Sequence, residues 1–208
     1  MRLALPLLAL AAAIAVPVIA QQAAGVPDKT RVTAGTYAAD PLHTMVVWEL
    51  DHLGFSKYTG IFGGVTGTLV LDPANPAASK VDVTIPVGKV TTANADLTGH
   101  LLRAGKDGGK PDFFGPNPAD AKFVSTSVVL DDDGDEAKVT GNLTLNGVTK
   151  PVTLDVDFHG AGMGMSKKET VGFEAEATIK RSDFGIAFGV PMISDAVELE
   201  IHAAFEKQ

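Results

Sequence analysis

From residue 81 onward the chain is dominated by positions that alternate between apolar and polar. Val81, Val83, Ile85 and Val87 alternate with Asp82, Thr84 and Pro86. Val139, Gly141, Leu143 and Leu145 alternate with Lys138, Thr140, Asn142 and Thr144, and Val152, Leu154, Val156 and Phe158 with Thr153, Asp155 and Asp157. Two later runs do the same: Val171 to Ile179 against Glu174, Glu176, Thr178 and Lys180, and Val197 to Phe205 against Glu198, Glu200, His202 and Glu206. A period of two sends successive side chains to opposite faces, so each run reads as a strand with one apolar and one solvated face. Segments 43–51, 62–71 and 121–130 are strand-like with looser alternation, which brings the expected number to about eight. Turn chemistry separates them: Asp72-Pro73 with Asn75-Pro76, Asp131-Asp132-Asp133-Gly134, and Asn146-Gly147 between two alternating runs. One stretch keeps a different period. Ala93, Leu97, Leu101 and Ala104 stand at helical spacing within 92–104, with Thr92 as the expected N-cap, and a long glycine- and proline-rich loop over 105–120 carries Phe113-Phe114.

About eight apolar strand faces must be buried together, in a two-sheet sandwich or a closed barrel. An eight-stranded barrel has an interior either filled by side chains or hollow enough for one small ligand. The inward positions are mostly Val, Leu, Ile, Ala and Gly, and aromatic residues make up only 6% of the chain. Medium aliphatics favour a hollow, dry, apolar interior suited to a hydrocarbon. A membrane-spanning barrel would turn its apolar faces to lipid and its polar faces inward. Glu174, Glu176 and Lys180, with Glu198, Glu200 and Glu206, are too charged for so narrow a lumen, and one Trp and two Tyr make no aromatic girdle.

Composition and the N-terminus set the compartment. Residues 1–20 are apolar except for Arg2, Pro6 and Pro17, and end in Val18-Ile19-Ala20 before Gln21. This is the pattern of a cleaved export signal. An uncleaved anchor is disfavoured by the two prolines and by the small residues at the cleavage-like end. Residues 21–35 are small, polar and aperiodic, and read as a flexible leader to a domain over 36–208. The expected protein is therefore exported to the periplasm and soluble. The absence of cysteine rules out disulfides, thiol chemistry and Cys-based zinc sites. A net charge of −8 with no basic run longer than a pair such as Lys167-Lys168 excludes nucleic acid as a main partner.

Motifs for metal or nucleophilic chemistry are missing. His43, His52, His100, His159 and His202 show no H-x-H, no H-E-x-x-H and no pair at i,i+4, so no metal site is expected. The acidic run 131–136 has Gly134 where a calcium loop starting at Asp131 needs it two places later, at Glu136. It reads as a solvated hairpin turn. Neither G-x-S-x-G nor S-x-x-K occurs, and no catalytic residue is assigned.

Several segments nevertheless line up in order. Tyr37-x-x-Asp40-Pro41-x-His43 opens the first strand, Gly60-x-Phe62 and Gly67 mark the second, and Thr91-Thr92 leads to His100-Leu101-x-Arg103 and then Phe113-Phe114. Phe123-x-Ser125-Thr126, the run from Gly141 to Val152, Arg181-Ser182-Asp183-Phe184-Gly185-Ile186 and Asp195-x-Val197 follow. Over about 37–207 the chain resembles the YceI-like, polyisoprenoid-binding family. It departs from the family in a longer, more glycine-rich loop over 104–120.

The resemblance implies an all-β, eight-stranded antiparallel, lipocalin-like barrel, with one short helix and the long loop near its mouth. It also implies an isoprenoid lipid, a polyprenyl phosphate or a quinone type, threaded into the interior. Trp48, Phe62, Leu97, Leu101, Phe113, Phe114, Phe123 and Phe184 are the expected tail contacts, and His100 and Arg103 the polar contacts at the mouth. No cofactor is expected beyond the lipid ligand, and a homodimer and transient contact with a membrane surface are compatible with this reading. Two rivals remain open at this point. One is an enzyme acting on a small hydrophobic substrate in the same barrel, built from Asp40, His43 and Ser125; the other is a filled-core, stress-related interaction domain.

Overall fold

A computed structural model describes residues 23–132, 134 and 136–208. The export signal expected over 1–20 lies outside the described residues, as do Asp133 and Asp135 of the acidic turn. The described strands are β1 (Gly25–Val26), β2 (Gly35–Ala39), β3 (Met45–His52), β4 (Ser56–Gly63), β5 (Thr66–Leu71) and β6 (Lys80–Ile85). They continue with β7 (Val90–Thr92), β8 (Ala121–Leu130), β9 (Glu136–Leu145), β10 (Val148–Met163), β11 (Glu169–Lys180) and β12 (Ala196–Lys207). One helix, α1 (Ala95–Leu102), stands between β7 and β8.

Pairing reduces these to eight staves. β2 and β3 share one edge of β12, residues 37–39 against 205–207 and 45–49 against 198–202. β4 and β5 lie in turn against β3 and β2, and β7 and β6 against β4 and β5. Then β6 pairs β8, β8 pairs β9, β9 pairs β10, β10 pairs β11, and β11 pairs β12, which closes the ring. Every pair is antiparallel. The result is the expected eight-stranded closed barrel with one short helix, in which three staves are interrupted.

The interruptions are chemically managed. Between β2 and β3 the chain leaves the β12 ladder, which exposes the peptide groups of Ala204. The backbone N–H of Asp40 and the hydroxyl of Thr44 donate to the Ala204 carbonyl (2.8 and 3.0 Å), and the Ala204 N–H donates back to the Thr44 hydroxyl (3.1 Å). A buried threonine thus stands in for a missing strand, as the cost of an unpaired buried peptide group requires.

Three boundaries differ from the sequence expectation. The run 62–71 is two strands that meet across 64–65, and the first begins earlier, at Ser56. The helix begins at Ala95, not near Thr92. Asn94 is its N-cap, accepting from the N–H groups of Asp96 (2.9 Å) and Leu97 (3.3 Å), while the Thr92 hydroxyl is used to bind the Asn94 carbonyl (2.8 Å). The segment read as a flexible leader is docked. β1 pairs with β10 at Ala161 and Gly162, Asp28 caps a 3-10 turn at Lys29–Arg31, and Val32 packs on the cluster around Tyr37. Main-chain pairing needs no side-chain pattern, so period counting passes over it.

Between β9 and β10 the chain turns through Asn146 (φ 51°) and Gly147 (φ 77°), the two positive φ angles that a tight hairpin of matching twist demands.

Candidate ligand cavity

The barrel interior is hollow. Inward side chains of β8, β9 and β10 should be fully buried in a packed core, yet Val128, Leu130, Leu143, Leu145, Val152, Leu154, Val156 and Phe158 are only half-buried. They border a cavity of about 420 Å³, within the range of small-molecule sites. It runs the length of the barrel, from Leu101, Phe113 and Phe114 at the helix end to Leu71, Pro73 and Pro76 at the other.

Aromatic rings would fill such a space if they pointed to the axis. Two are held against the wall instead. Trp48 on β3 lies opposite Gly60 on β4, and a Cβ at Gly60 would fall 2.2 Å from its Cζ2. Phe123 on β8 leans over Gly141 on β9, where a Cβ would come within 2.4 Å of Cζ. Phe158, Phe173 and Phe205 stack edge to face with one another, centroids 5.8 and 6.5 Å apart. They gather with Tyr37 on one side of the end away from the helix.

A cap covers the helix end. The backbone N–H groups of Phe114 and Gly115 donate to the Leu101 carbonyl (3.0 and 3.3 Å), satisfying a helix terminus that would otherwise be open. The Asp112 carboxylate accepts from Arg103 (2.7 Å) and meets His100 Nε2 (3.0 Å). Its carboxyl is held below the usual aspartate value, first by Arg103 and then by His100. The His100 ring meets Phe113 and Phe188 edge-on at 5.2 and 5.7 Å, and Phe114 meets Phe62 at 5.7 Å.

Arg181 braces the same end from the turn after β11. The residue is 4% exposed, and its guanidinium donates to the carbonyls of Ser194 (2.8 Å), Ile186 (3.0 Å), Phe188 (2.9 Å) and Ile193 (2.8 Å). Burial pulls its pKa below the ordinary arginine value, against the opposing attraction of Asp195. Asp195 is itself held low by the hydroxyl and then the backbone N–H of Ser182. Among the described lining residues the remaining charges are Lys29, Lys80 and Glu136, all exposed at the opposite rim.

Of the residues singled out by sequence, Trp48, Phe62, Leu101, Phe113, Phe114 and Phe123 line the cavity. Four do not. Leu97 is 41% exposed on the outer side of α1, and Phe184, 1% exposed, is packed into the cluster with Trp48 and Val197. His100 and Arg103 are engaged with Asp112 in the cap. Helical spacing alone could not separate the inner side of α1 from the outer. The inward series on β9 and β10 forms the wall, as the alternation leads one to expect, although none of it was named among the individual contacts. Sequence reasoning missed Arg181 as an individual residue.

The outer face is charged. Asp155, Glu176 and Glu200 lie side by side across β10, β11 and β12, and Lys57 bridges Glu49 and Glu198. Glu49 first, then Glu198, raise the pKa of Lys57. Carboxylates at those positions make no lipid-facing band. Among the described residues no group of three His, Cys, Asp or Glu is placed to hold a metal ion. Asp40 and His43 pair at 2.6 Å on the surface, and Ser125 Oγ accepts from the Val81 N–H (2.9 Å). None of the three lines the cavity.

A closed antiparallel β-barrel around an apolar, single-ligand-sized hollow is the architecture of the lipocalin type. The YceI-like domain profile matches residues 37–205, and the chain belongs to that family. Protein YceI of Shigella flexneri is 42% identical over 160 residues, covering 76% of this chain and 79% of the relative. The crystal structure of the Campylobacter jejuni YCEI protein is 32% identical, with a TM-score of 0.62 over 76% of this chain and 90% of that one. A polyisoprenoid binding domain from Saccharophagus degradans shares the fold at 13% identity, with a TM-score of 0.54 over 85% and 100% of the two chains.

Proposed function

We propose that the protein binds a long-chain isoprenoid lipid in the barrel cavity and shields it from water, without chemical conversion, in the periplasm. The observation that carries this reading is the hollow interior with an apolar wall along its whole length. The polyisoprenoid binding named for the Saccharophagus domain of the same fold supports it. Each methylene removed from water contributes ~0.8 kcal/mol, so a tail of tens of carbons is driven strongly out of solution. A bilayer offers nearly the same gain. Net transfer from bilayer to barrel is therefore near balance, which suits a carrier and not a scavenger. Arg181, the one arginine among the described lining residues, is committed to main-chain carbonyls, and the pair Asp40–His43 lies outside the cavity, which favours carriage over catalysis. A filled-core interaction domain is opposed by the cavity itself.

Loading and unloading need contact with a membrane surface, and the helix end supports that role. Leu53, Phe55, Leu97, Phe188 and Met192 stand exposed there on separate segments, Phe55 at 87%. The Leu53 N–H donates to the Met192 carbonyl (3.0 Å), which joins two of those segments. Native mass spectrometry of the protein purified from its own host, followed by organic extraction, tests the reading. A co-purified polyprenyl species supports it; an empty protein that also refuses added prenyl lipid refutes it.

A further inference from the structure

The cavity reaches both ends of the barrel, and α1 with its loop caps one of them. At the other end two residues of the N-terminal segment, Lys29 and Val32, line it together with Pro73, Pro76 and Gly134. Strand pairing explains how that segment gets there. β10 leaves β9 at Asp157, opposite Glu136. β1 then takes the vacated edge of β10 at Ala161 and Gly162, while β11 holds the other edge. The chain thus starts on the β9 stave and next enters the ring at β2. Those two staves stand opposite each other: the path is β9, β10, β11, β12, β2 one way round and β9, β8, β6, β5, β2 the other. A segment joining opposite staves passes over the mouth or halfway round its rim, and the contact of Lys29 and Val32 with the cavity turns this one into the mouth.

β10 is shaped to receive it. A Cβ on Gly162 would fall 2.0 Å from the Ala24 carbonyl oxygen, and one on Gly160 would fall 3.1 Å from that of Val26. Gly162 has no positive φ, so β10 itself would accept a side chain there; the close approach of the strap is what excludes one. Lys29 Nζ donates to the Gly134 carbonyl in the turn between β8 and β9, and the Tyr37 hydroxyl donates to the Thr33 carbonyl (2.7 Å). None of residues 23–34 is buried. A segment fastened at points, with little apolar surface beneath it, opens at a small fraction of the free energy of global unfolding. It also lies ahead of the stretch that matches the family profile, 37–205. Resting on the lipid-binding reading above, we propose that residues 23–34 are a stopper on a second mouth of the cavity. The barrel is bored through, and the strap confines lipid traffic to the helix end.

The test follows the loss of bound geranylgeraniol to phosphatidylcholine vesicles from the full chain and from variants of it. Gly162→Val evicts β1 through the clash with Ala24, and faster trypsin cleavage after Lys29 and Arg31 reports that the strap is free. A chain with residues 23–32 replaced by glycine and serine removes the same grip without touching the barrel, and serves if Gly162→Val folds poorly. Both should release the lipid about threefold faster than wild type or more. Val26→Cys with Ala161→Cys places a disulfide between paired residues of a chain that otherwise has no cysteine, and pins the strap to β10. The pinned form should release lipid at the wild-type rate. Wild-type rates from the strap-free chains would overturn the stopper and leave the carrier reading intact. Slower release from the pinned form would also overturn it, because the strap would then be the door. Failure of wild type to take up geranylgeraniol would remove both.

Discussion

The indole of Trp48 occupies the space in which a side chain on Gly60 would stand: a Cβ there would lie 2.2 Å from Cζ2 and 2.5 Å from Cε2. This pairing keeps the largest side chain of the barrel against its wall and leaves the axis open. Gly60→Ala must therefore push the ring toward the cavity or bend β4. The Thr91 carbonyl, 2.9 Å from the same Cβ position, blocks an easy backbone escape. The expected cost is about 1–3 kcal/mol, as for overpacking elsewhere, read as a lower denaturant midpoint at constant slope.

Bulk added where the interior is empty should behave differently. Val152→Phe with Leu154→Phe places two rings in the hollow bordered by β9 and β10. Stability should change by less than about 1 kcal/mol, because no packed neighbour is displaced, while lipid retention is lost. Urea denaturation and lipid co-purification on the same variant read the two effects separately. A large loss of stability would mean that the space is filled in solution.

Arg181→Met strips four main-chain carbonyls of their donors in one step. With each orphaned acceptor costing about 1 kcal/mol or more, the variant should lose about 3 kcal/mol or more. Thermal melting measures it, and Arg181→Lys should fall between, since one ammonium cannot reach the same set.

The cap should withstand mild acid. Asp112 is held below the usual aspartate value, so its ion pairs stabilise the folded cap above that value and are lost only as the pH falls through the lowered one. Protection of the Phe114 and Gly115 amides against hydrogen exchange should persist from neutral pH down to about pH 4 and fall below it. Asp112→Asn should reduce that protection at neutral pH. Loss of protection in the wild type well above the usual aspartate range would show that the Asp112 carboxylate does not hold the cap.

Strict alternation made the barrel legible, because β9 through β12 carry solvent on one face and the cavity on the other. The broken staves were harder. β2 and β7 are three to five residues long, and the turn between β4 and β5 falls inside a run of small and apolar residues that reads as one strand. The site was legible only in part. Trp48, Phe62 and Phe123 follow from being large inward residues, whereas Leu97 and Leu101 share a helical spacing and differ only in which side faces the barrel. Arg181 was legible only as the first residue of the motif running to Ile186; that its guanidinium binds the carbonyls of Ile186, Phe188, Ile193 and Ser194 follows from how the loop folds back, which spacing does not give.

Trp48 is the only tryptophan in the chain, and it lines the cavity. Its fluorescence therefore reports occupancy without a label. Titration with a prenylated quinone, which quenches on contact, tests the central claim most directly. The account predicts saturable quenching at one ligand per barrel, abolished in Val152→Phe with Leu154→Phe. Emission unchanged by saturating ligand, or quenched equally in the filled variant, would contradict it.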